Sequence, residues 1–213
     1  MRRIIASLFL FLLIISSAWS HQPVIVEKEP IEIYNPEISR AFYDTLPGKP
    51  RLYLINSDKD FELYVNLLVP KNTNPHGRYS ARVYKLIGQI LELIKEIDGN
   101  AVGWKDFFEP FGRDTYLKGP EFREKVAAGS YEIEVFSRDH VGKYVLAVGE
   151  KESFGPKEIA QVYWVIPKLK LNFFHSSLWS FLITPFGLFL IFVAAIFIFA
   201  LFFLIAKLKH NRV

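Results

Sequence analysis

Ala127-Ala-Gly-Ser-Tyr-Glu-Ile-Glu-Val-Phe136, Ser137-Arg-Asp-His-Val-Gly142 and Lys143-Tyr-Val-Leu-Ala-Val-Gly149 read as a strand, a turn and a returning strand. Successive side chains of a strand point to opposite faces, so Tyr131, Ile133 and Val135 fall on one face. Tyr144, Leu146 and Val148 match them on the partner strand, where cross-strand apolar pairs stabilise the sheet.

The same alternation runs upstream. Pro23-Val-Ile-Val-Glu27 and Ile31-Glu-Ile-Tyr34 are short strands around Pro30. Ile38 to Leu46 leads into the turn Pro47-Gly-Lys-Pro50, then Arg51 to Ile55, a turn at Asn56 to Asp60, and Phe61-Glu-Leu-Tyr-Val-Asn-Leu-Leu-Val69 before the breaker-rich Pro70 to Pro75. Strand and turn in such regular succession predict an all-β, antiparallel sandwich or barrel. Ser80 to Asp98 fits two patterns. Ile87, Ile90, Leu91, Ile94 and Ile97 suit a helical stripe, whereas Ala81 to Leu86 alternates as a strand. The β-branched content favours a hairpin turning at Gly88-Gln89. Asn100 to Glu124, rich in aromatics, Gly and Pro, is expected to be a long loop crossing one end of the sandwich.

The runs Ala128 to Ser137 and Gly142 to Glu150 resemble the last two strands of the bacterial pre-peptidase C-terminal family, and Ile38 to Pro70 resembles its opening strands. The resemblance spans roughly Ile31 to Glu150. It implies a small jelly-roll β-sandwich, carries no catalytic motif, and differs from the family's usual setting in being followed by a membrane span.

That span is Pro185 to Ala206, which has no charged residue. A bilayer core needs about 20 apolar residues, and this run meets the length. Thr184 supplies an N-cap and Pro185 the first helical position. The chain also opens on an apolar run, but Met1-Arg2-Arg3, Ile4 to Ile15, and small Ala18 and Ser20 have the form of a cleaved signal peptide, with His21 as the new N-terminus. An uncleaved second anchor is the rival reading. Between them, Pro156 starts a helix that Pro167 should stop, with Ile159, Val162, Tyr163 and Ile166 at helical spacing. Lys168 to Phe174 interleaves cations with large apolar residues, as a segment at the membrane surface would, and Trp179 suits the aromatic belt. The alternative is that Ile159 to Ile166 packs on the sandwich. The expected organisation is a signal over 1–20, a β-sandwich over 21–152, a juxtamembrane helix and interfacial segment over 153–180, a transmembrane helix over 181–206 and a basic tail over 207–213.

Charge supports this division. Arg2, Arg3, Lys207, Lys209 and Arg212 are five of the 26 basic residues, which leaves 21 against 22 acids in the region between signal and span. No nucleic-acid footprint remains. The cationic tail places the C-terminus in the cytoplasm by the positive-inside rule and the N-terminal region outside. Zero cysteines exclude a disulfide scaffold. Absent Asn-x-Ser/Thr sequons fit a prokaryotic cell membrane.

Three chemistries have candidate residues in this sequence. A histidine at a new N-terminus can bind copper through its amine and imidazole, so His21 with His76 or His140 is a candidate metal set. Asp106, Glu109, Asp114 and Glu121 could form a calcium site or carboxylate pair, but no calcium-loop spacing occurs and solvated loop charges are expected. Trp104, Phe108, Phe111 and Tyr116 are candidates for a platform that stacks on a glycan or protein ligand, against the competing role of filling the core. Nucleophile, zinc-protease and phosphate-loop motifs are missing from the sequence. The sequence is therefore read as a non-enzymatic, single-pass binding or envelope-interaction module with no cofactor, the lipid bilayer as a partner through Pro185 to Ala206, and a protein or glycan as the candidate ligand outside. A copper-binding protein using His21 and a surface hydrolase without motifs are the alternatives.

Overall fold

The computed structural model describes residues 21–210, so the expected signal over 1–20 and the last three residues of the tail lie outside the described residues. Strands β1 (Gln22–Ile25), β2 (Ile31–Ile33), β3 (Arg40–Pro47), β4 (Arg51–Ser57), β5 (Phe61–Pro70) and β6 (Ser80–Ile87) come first. They are followed by β7 (Ile90–Ile97), β8 (Lys105–Glu109), β9 (Asp114–Val126), β10 (Gly129–Phe136) and β11 (Val141–Val148). A six-stranded sheet in the order β1-β3-β11-β5-β9-β8 faces a five-stranded sheet in the order β2-β4-β10-β6-β7.

Alternation builds the core between them. On β5, Phe61, Leu63, Val65, Leu67 and Val69 point inward, and Tyr131, Ile133 and Val135 of β10 with Tyr144, Leu146 and Val148 of β11 meet them as the sequence predicts. One polar group sits at its edge. Asp44 accepts hydrogen bonds from the Tyr53 and Tyr144 hydroxyls at 3.0 Å and from Arg51 Nε at 2.8 Å, so a buried carboxylate is fully engaged.

The sheets are mixed rather than antiparallel throughout. β1 pairs parallel with β3, and β2 parallel with β4. The cause lies in the chain path: the first four strands alternate between sheets, so each returns to its own sheet after a crossing, and a crossing that resumes the same direction makes a parallel pair. The segment 80–97 is the expected hairpin. Its two-residue turn has Gly88 at φ 65°, a positive value at the first central position as a type II′ turn requires.

The aromatic stretch 104–122 is a hairpin, not a loop. β8 pairs with β9, a 13-residue strand that also runs along β5 from Phe61↔Val126 to Pro70↔Tyr116. Gly119-Pro120 is tolerated because the β5 register shifts between Asn66 and Leu68, and Asn66 Nδ2 donates to the Pro120 carbonyl at 3.0 Å.

After the sandwich come α1 (Pro156–Lys168), a π-helical turn (Leu169–Phe173), α2 (Trp179–Leu182) and α3 (Pro185–His210). Glu158 caps the first by accepting the Gly155 N–H at 2.9 Å. Pro167 does not stop α1. It lies in the last turn, where the helix widens instead, and the Phe174 N–H reaches back five residues to Leu169 O at 2.9 Å. The segment expected at the membrane surface has Leu169, Lys170, Phe173 and Phe174 buried in the protein. α3 begins as read: Thr184 Oγ1 accepts the Gly187 N–H at 3.1 Å. Pro185–Leu208 is an apolar helix of 24 residues whose most apolar 18-residue stretch has mean hydropathy 3.3 and is nowhere buried in the protein, so it is long and apolar enough to cross a membrane. The preceding 179–182 is a separate single turn, offset by Ile183 and Thr184.

Candidate functional site

The outer face of the six-stranded sheet is where the helices settle. Ala41 of β3, Leu68 of β5, Tyr116 of β9, and Val145 and Ala147 of β11 form an apolar floor, on which Leu169, Phe173 and Phe174 pack. α1 contributes Val162 and Ile166, which meet Phe111 of the β8–β9 turn together with Phe181 and Phe186. Phe186 is the second residue of α3, and its ring lies 6.0 Å from that of Phe111. The base of the apolar helix is thus fastened to the sandwich by aromatic packing.

Between floor and helices lies a cavity of about 340 Å³, within the roughly 300–1,000 Å³ of small-molecule sites. Leu68, Val145, Val162, Ile166 and Phe186 supply apolar walls, and His21, Ser39, Lys118 and Glu152 are among its polar lining. Tyr43 and Tyr116, which also line it, join their hydroxyls at 2.9 Å, and burial holds both phenols protonated well above their ordinary range.

The β8–β9 turn brings a charged cluster to the same cavity. Glu109 accepts the N–H groups of Phe111 at 2.8 Å and Gly112 at 2.6 Å, which closes the turn. Asp114 is paired at 2.6 Å with the Nζ of Lys170, a side chain only 1% exposed, which also donates to the Gly112 carbonyl. Burial raises both carboxyl groups above their ordinary values, while the Lys170 ammonium pulls each back. Two carboxylates and one ammonium are therefore held in little water. At the other side His21 Nδ1 lies 2.6 Å from Ser39 Oγ. Burial, then the charge of Lys118, lowers the imidazole to about 4, so it is neutral at pH 7.

This arrangement redistributes the residues singled out from the sequence. Asp106 and Glu121 are exposed charges, ion-paired to Lys71 and Lys118. Glu109 and Asp114 depart from the expected solvated loop, because the pairing of β8 with β9 folds their turn under α1 and the π-helical turn. The four proposed platform aromatics do not share a surface. Tyr116 and Phe111 are buried, Trp104 packs on the core and donates its Nε1–H to Gly99 O at 2.8 Å, and Phe108 alone among them is half exposed. Nor do the histidines converge. His76 lies on the exposed loop between β5 and β6, and His140 occupies the β10–β11 turn at φ 53°. Among the described residues no group of three or more His, Cys, Asp or Glu side chains is placed to hold a metal ion. Lys170 was missed as a site residue because a lysine among apolar residues near a span reads as an interfacial cation. Its one legible partner signal was Asp114, distant in sequence.

No protein-family model matches the chain, and no curated protein matches it. Among solved structures the chain is similar to the pre-peptidase C-terminal domain of a collagenase from Bacillus anthracis, at 9% identity and TM-score 0.35, covering 62% of this chain and 98% of that one. It is similar to the Yersinia pseudotuberculosis-derived mitogen at 16% identity and TM-score 0.34, over 56% of this chain and 92% of that one. A β-glucosidase from Paenibacillus barengoltzii follows at 8% identity and TM-score 0.23, over 63% of this chain and 12% of that one. The family resembled in sequence thus has a member among the similar structures, without a family model that matches. Likenesses this distant carry no inference about what the chain binds.

Proposed function

We propose that the chain is a single-pass, membrane-anchored extracytoplasmic module that binds a small ligand in the cavity on its six-stranded sheet, without catalysis. The observation that carries this reading is that Phe186, in the first turn of the apolar helix, is itself a wall of the cavity. Anchor and binding site are then one unit, held at the membrane surface. Within the sandwich, the order β3-β11-β5-β9 facing β4-β10-β6-β7 is that of a jelly roll, with β1, β2 and β8 added at edges. Trp164 and Trp179 are each more than three-quarters exposed near the start of the span, which suits residues bathed by lipid headgroups.

Native mass spectrometry of the full chain, released in detergent from its own membrane, tests the binding. The wild type should retain a small molecule that Val145→Trp, whose indole fills the cavity, releases. Equal occupancy in both, or none in either, removes the cavity from the function. Orientation is separately testable because the chain has no cysteine. Ser177→Cys should react with a membrane-impermeant maleimide in intact cells, and Lys209→Cys only after permeabilisation. The opposite pattern inverts the topology.

A further inference from the structure

The two sheets differ in what covers them. The outer face of the six-stranded sheet lies under α1 and the π-helical turn, but no described element lies on the outer face of the five-stranded sheet. Pairing registers place its side chains in three rows. Across β2, β4, β10, β6 and β7 run Glu32, Leu54, Glu132, Tyr84 and Leu93. On one side of that row lie Leu52, Glu134, Arg82 and Glu96, and on the other Asn56, Ser130, Leu86 and Leu91. Leu52, Leu86, Leu91 and Leu93 are 41% to 49% exposed, so leucines stand open to water on both sides of the glutamates.

The charges on this face are unbalanced: four glutamates against one arginine. Arg82 is already engaged, at 2.9 Å to Glu96 and 3.4 Å to Glu134. Glu132, at the centre among Leu54, Tyr84 and Leu86, has no ion pair among the described residues. Burial, then the charge of Glu134, raises its carboxyl above the ordinary value, as befits a carboxylate that lacks a cation.

We propose that this face docks a basic amphipathic protein segment, whose apolar side chains cover the leucines and whose lysine or arginine pairs with Glu132. Size favours a segment over a second copy of the chain. Four inter-strand spacings give about 19 Å, and four residues along the strands about 13 Å, so the patch is roughly 250 Å². A stable protein–protein interface needs about 800 Å² from each partner, whereas a helix of about 12 residues spans this width. The face also leads away from the membrane. β6 starts beside the β5–β6 loop, at the end where Phe111 meets Phe186, and runs to the β6–β7 turn at the opposite end, where Ile87 and Ile90 are 53% and 72% exposed. A segment arriving from another envelope protein would meet it unobstructed by the anchor. This inference does not rest on the cavity.

The test uses the full chain in uncharged detergent micelles, with empty micelles as the blank, and a fluorescent peptide of about twelve residues with Leu at helical spacing on one face and Lys elsewhere. Fluorescence anisotropy should show binding that weakens with added salt. Glu132→Gln should weaken it about tenfold, Glu132→Lys further, and Leu93→Ser comparably, each with an unchanged thermal melt because these side chains lie on the surface. The same peptide with Glu in place of every Lys should not bind. Equal affinity for wild type and Glu132→Lys, or equal binding of the acidic peptide, overturns the proposal. So does a concentration-dependent dimer in sedimentation that Leu93→Glu abolishes, since that assigns the face to a second copy.

Discussion

Replacing Lys170 by methionine keeps the length of the side chain and removes its charge, which makes it the sharpest probe of how helices and sandwich are joined. In the wild type the ammonium is 1% exposed and meets Asp114 at 2.6 Å, beside Glu109 and the Gly112 carbonyl. Without it, Asp114 becomes a buried carboxylate lacking a counter-ion. Removing one partner of a buried pair costs about 3–5 kcal/mol. For a domain of this size 1 kcal/mol moves the melting temperature by about 2–4 °C, so Lys170→Met should lower it by roughly 6–20 °C. Lys170→Met with Asp114→Asn removes both charges and should recover much of the loss, a coupling of about 2–3 kcal/mol. The variant also carries a pH signature. Burial places the folded Asp114 carboxyl above its unfolded value, so its ionisation disfavours the fold as pH rises through that window. With Lys170 gone the folded value rises further. The gap between variant and wild type should be wide at about pH 8 and narrow toward about pH 5, where a protonated Asp114 needs no cation. Circular dichroism melts of the full chain in detergent would measure it. A shift under about 2 °C for the single variant, or a double variant as unstable as the two single losses combined, would refute the Lys170–Asp114 pair as the joint between helices and sandwich.

Three further predictions follow from particular contacts. His21 is held neutral to about 4 against an ordinary 6.5, so the unfolded chain gains a proton between those values that the folded chain refuses. Stability should fall as pH drops through that window, and His21→Gln should flatten the melting temperature there. A slope shared by both proteins would place the effect elsewhere. Gly149 has φ 73°, and an added Cβ would sit 2.5 Å from Ile38 O, whereas Gly88 at φ 65° has open space. Gly149→Ala should therefore cost well over the roughly 1 kcal/mol expected of Gly88→Ala, as denaturant midpoints would show, and equal costs would contradict the close approach. Asp44→Ala strands Arg51 and the Tyr53 and Tyr144 hydroxyls, and should cost about 3–5 kcal/mol in chemical denaturation. Asp44→Asn, which keeps an acceptor, should cost less. The reverse order would mean that the carboxylate is not their organiser.

Where one physical constraint acts along the chain, the sequence was legible. Period-two alternation revealed β5, β10 and β11 because one face of each strand meets the other sheet, and Thr184-Pro185 marked the start of α3 because a cap and a proline suit that position for local reasons. Where a constraint comes from a neighbour, local reading failed. Gly119-Pro120 looks like a break, yet it sits inside the longest strand because Asn66, more than fifty residues earlier, satisfies the Pro120 carbonyl at an irregularity in β5. Pro167 looks like a stop, yet the helix runs past it to Lys168 and continues directly into a π-helical turn. The parallel pairing of β1 with β3 was equally hidden, since strand direction depends on which sheet each intervening strand joins.

The candidate site was less legible than the fold for the same reason. Its acids were visible as Glu109 and Asp114, but whether a carboxylate is solvated depends on what covers it. What covers these two is the π-helical turn, some sixty residues downstream, whose Lys170 resembles a membrane-surface cation until the pairing is seen. The same distinction separates the two outer sheet faces. Tyr43, Ala41 and Val145 on one face, and Leu54, Tyr84 and Glu132 on the other, obey the same alternation, and nothing local says that helices cover the first and not the second. Exposed leucines around a glutamate with no ion pair among the described residues become informative only once the chain's own helices have been assigned to the opposite side. A face left uncovered by the described elements, apolar and acidic, on a protein whose other face holds the base of its long apolar helix is then the place to look for a partner.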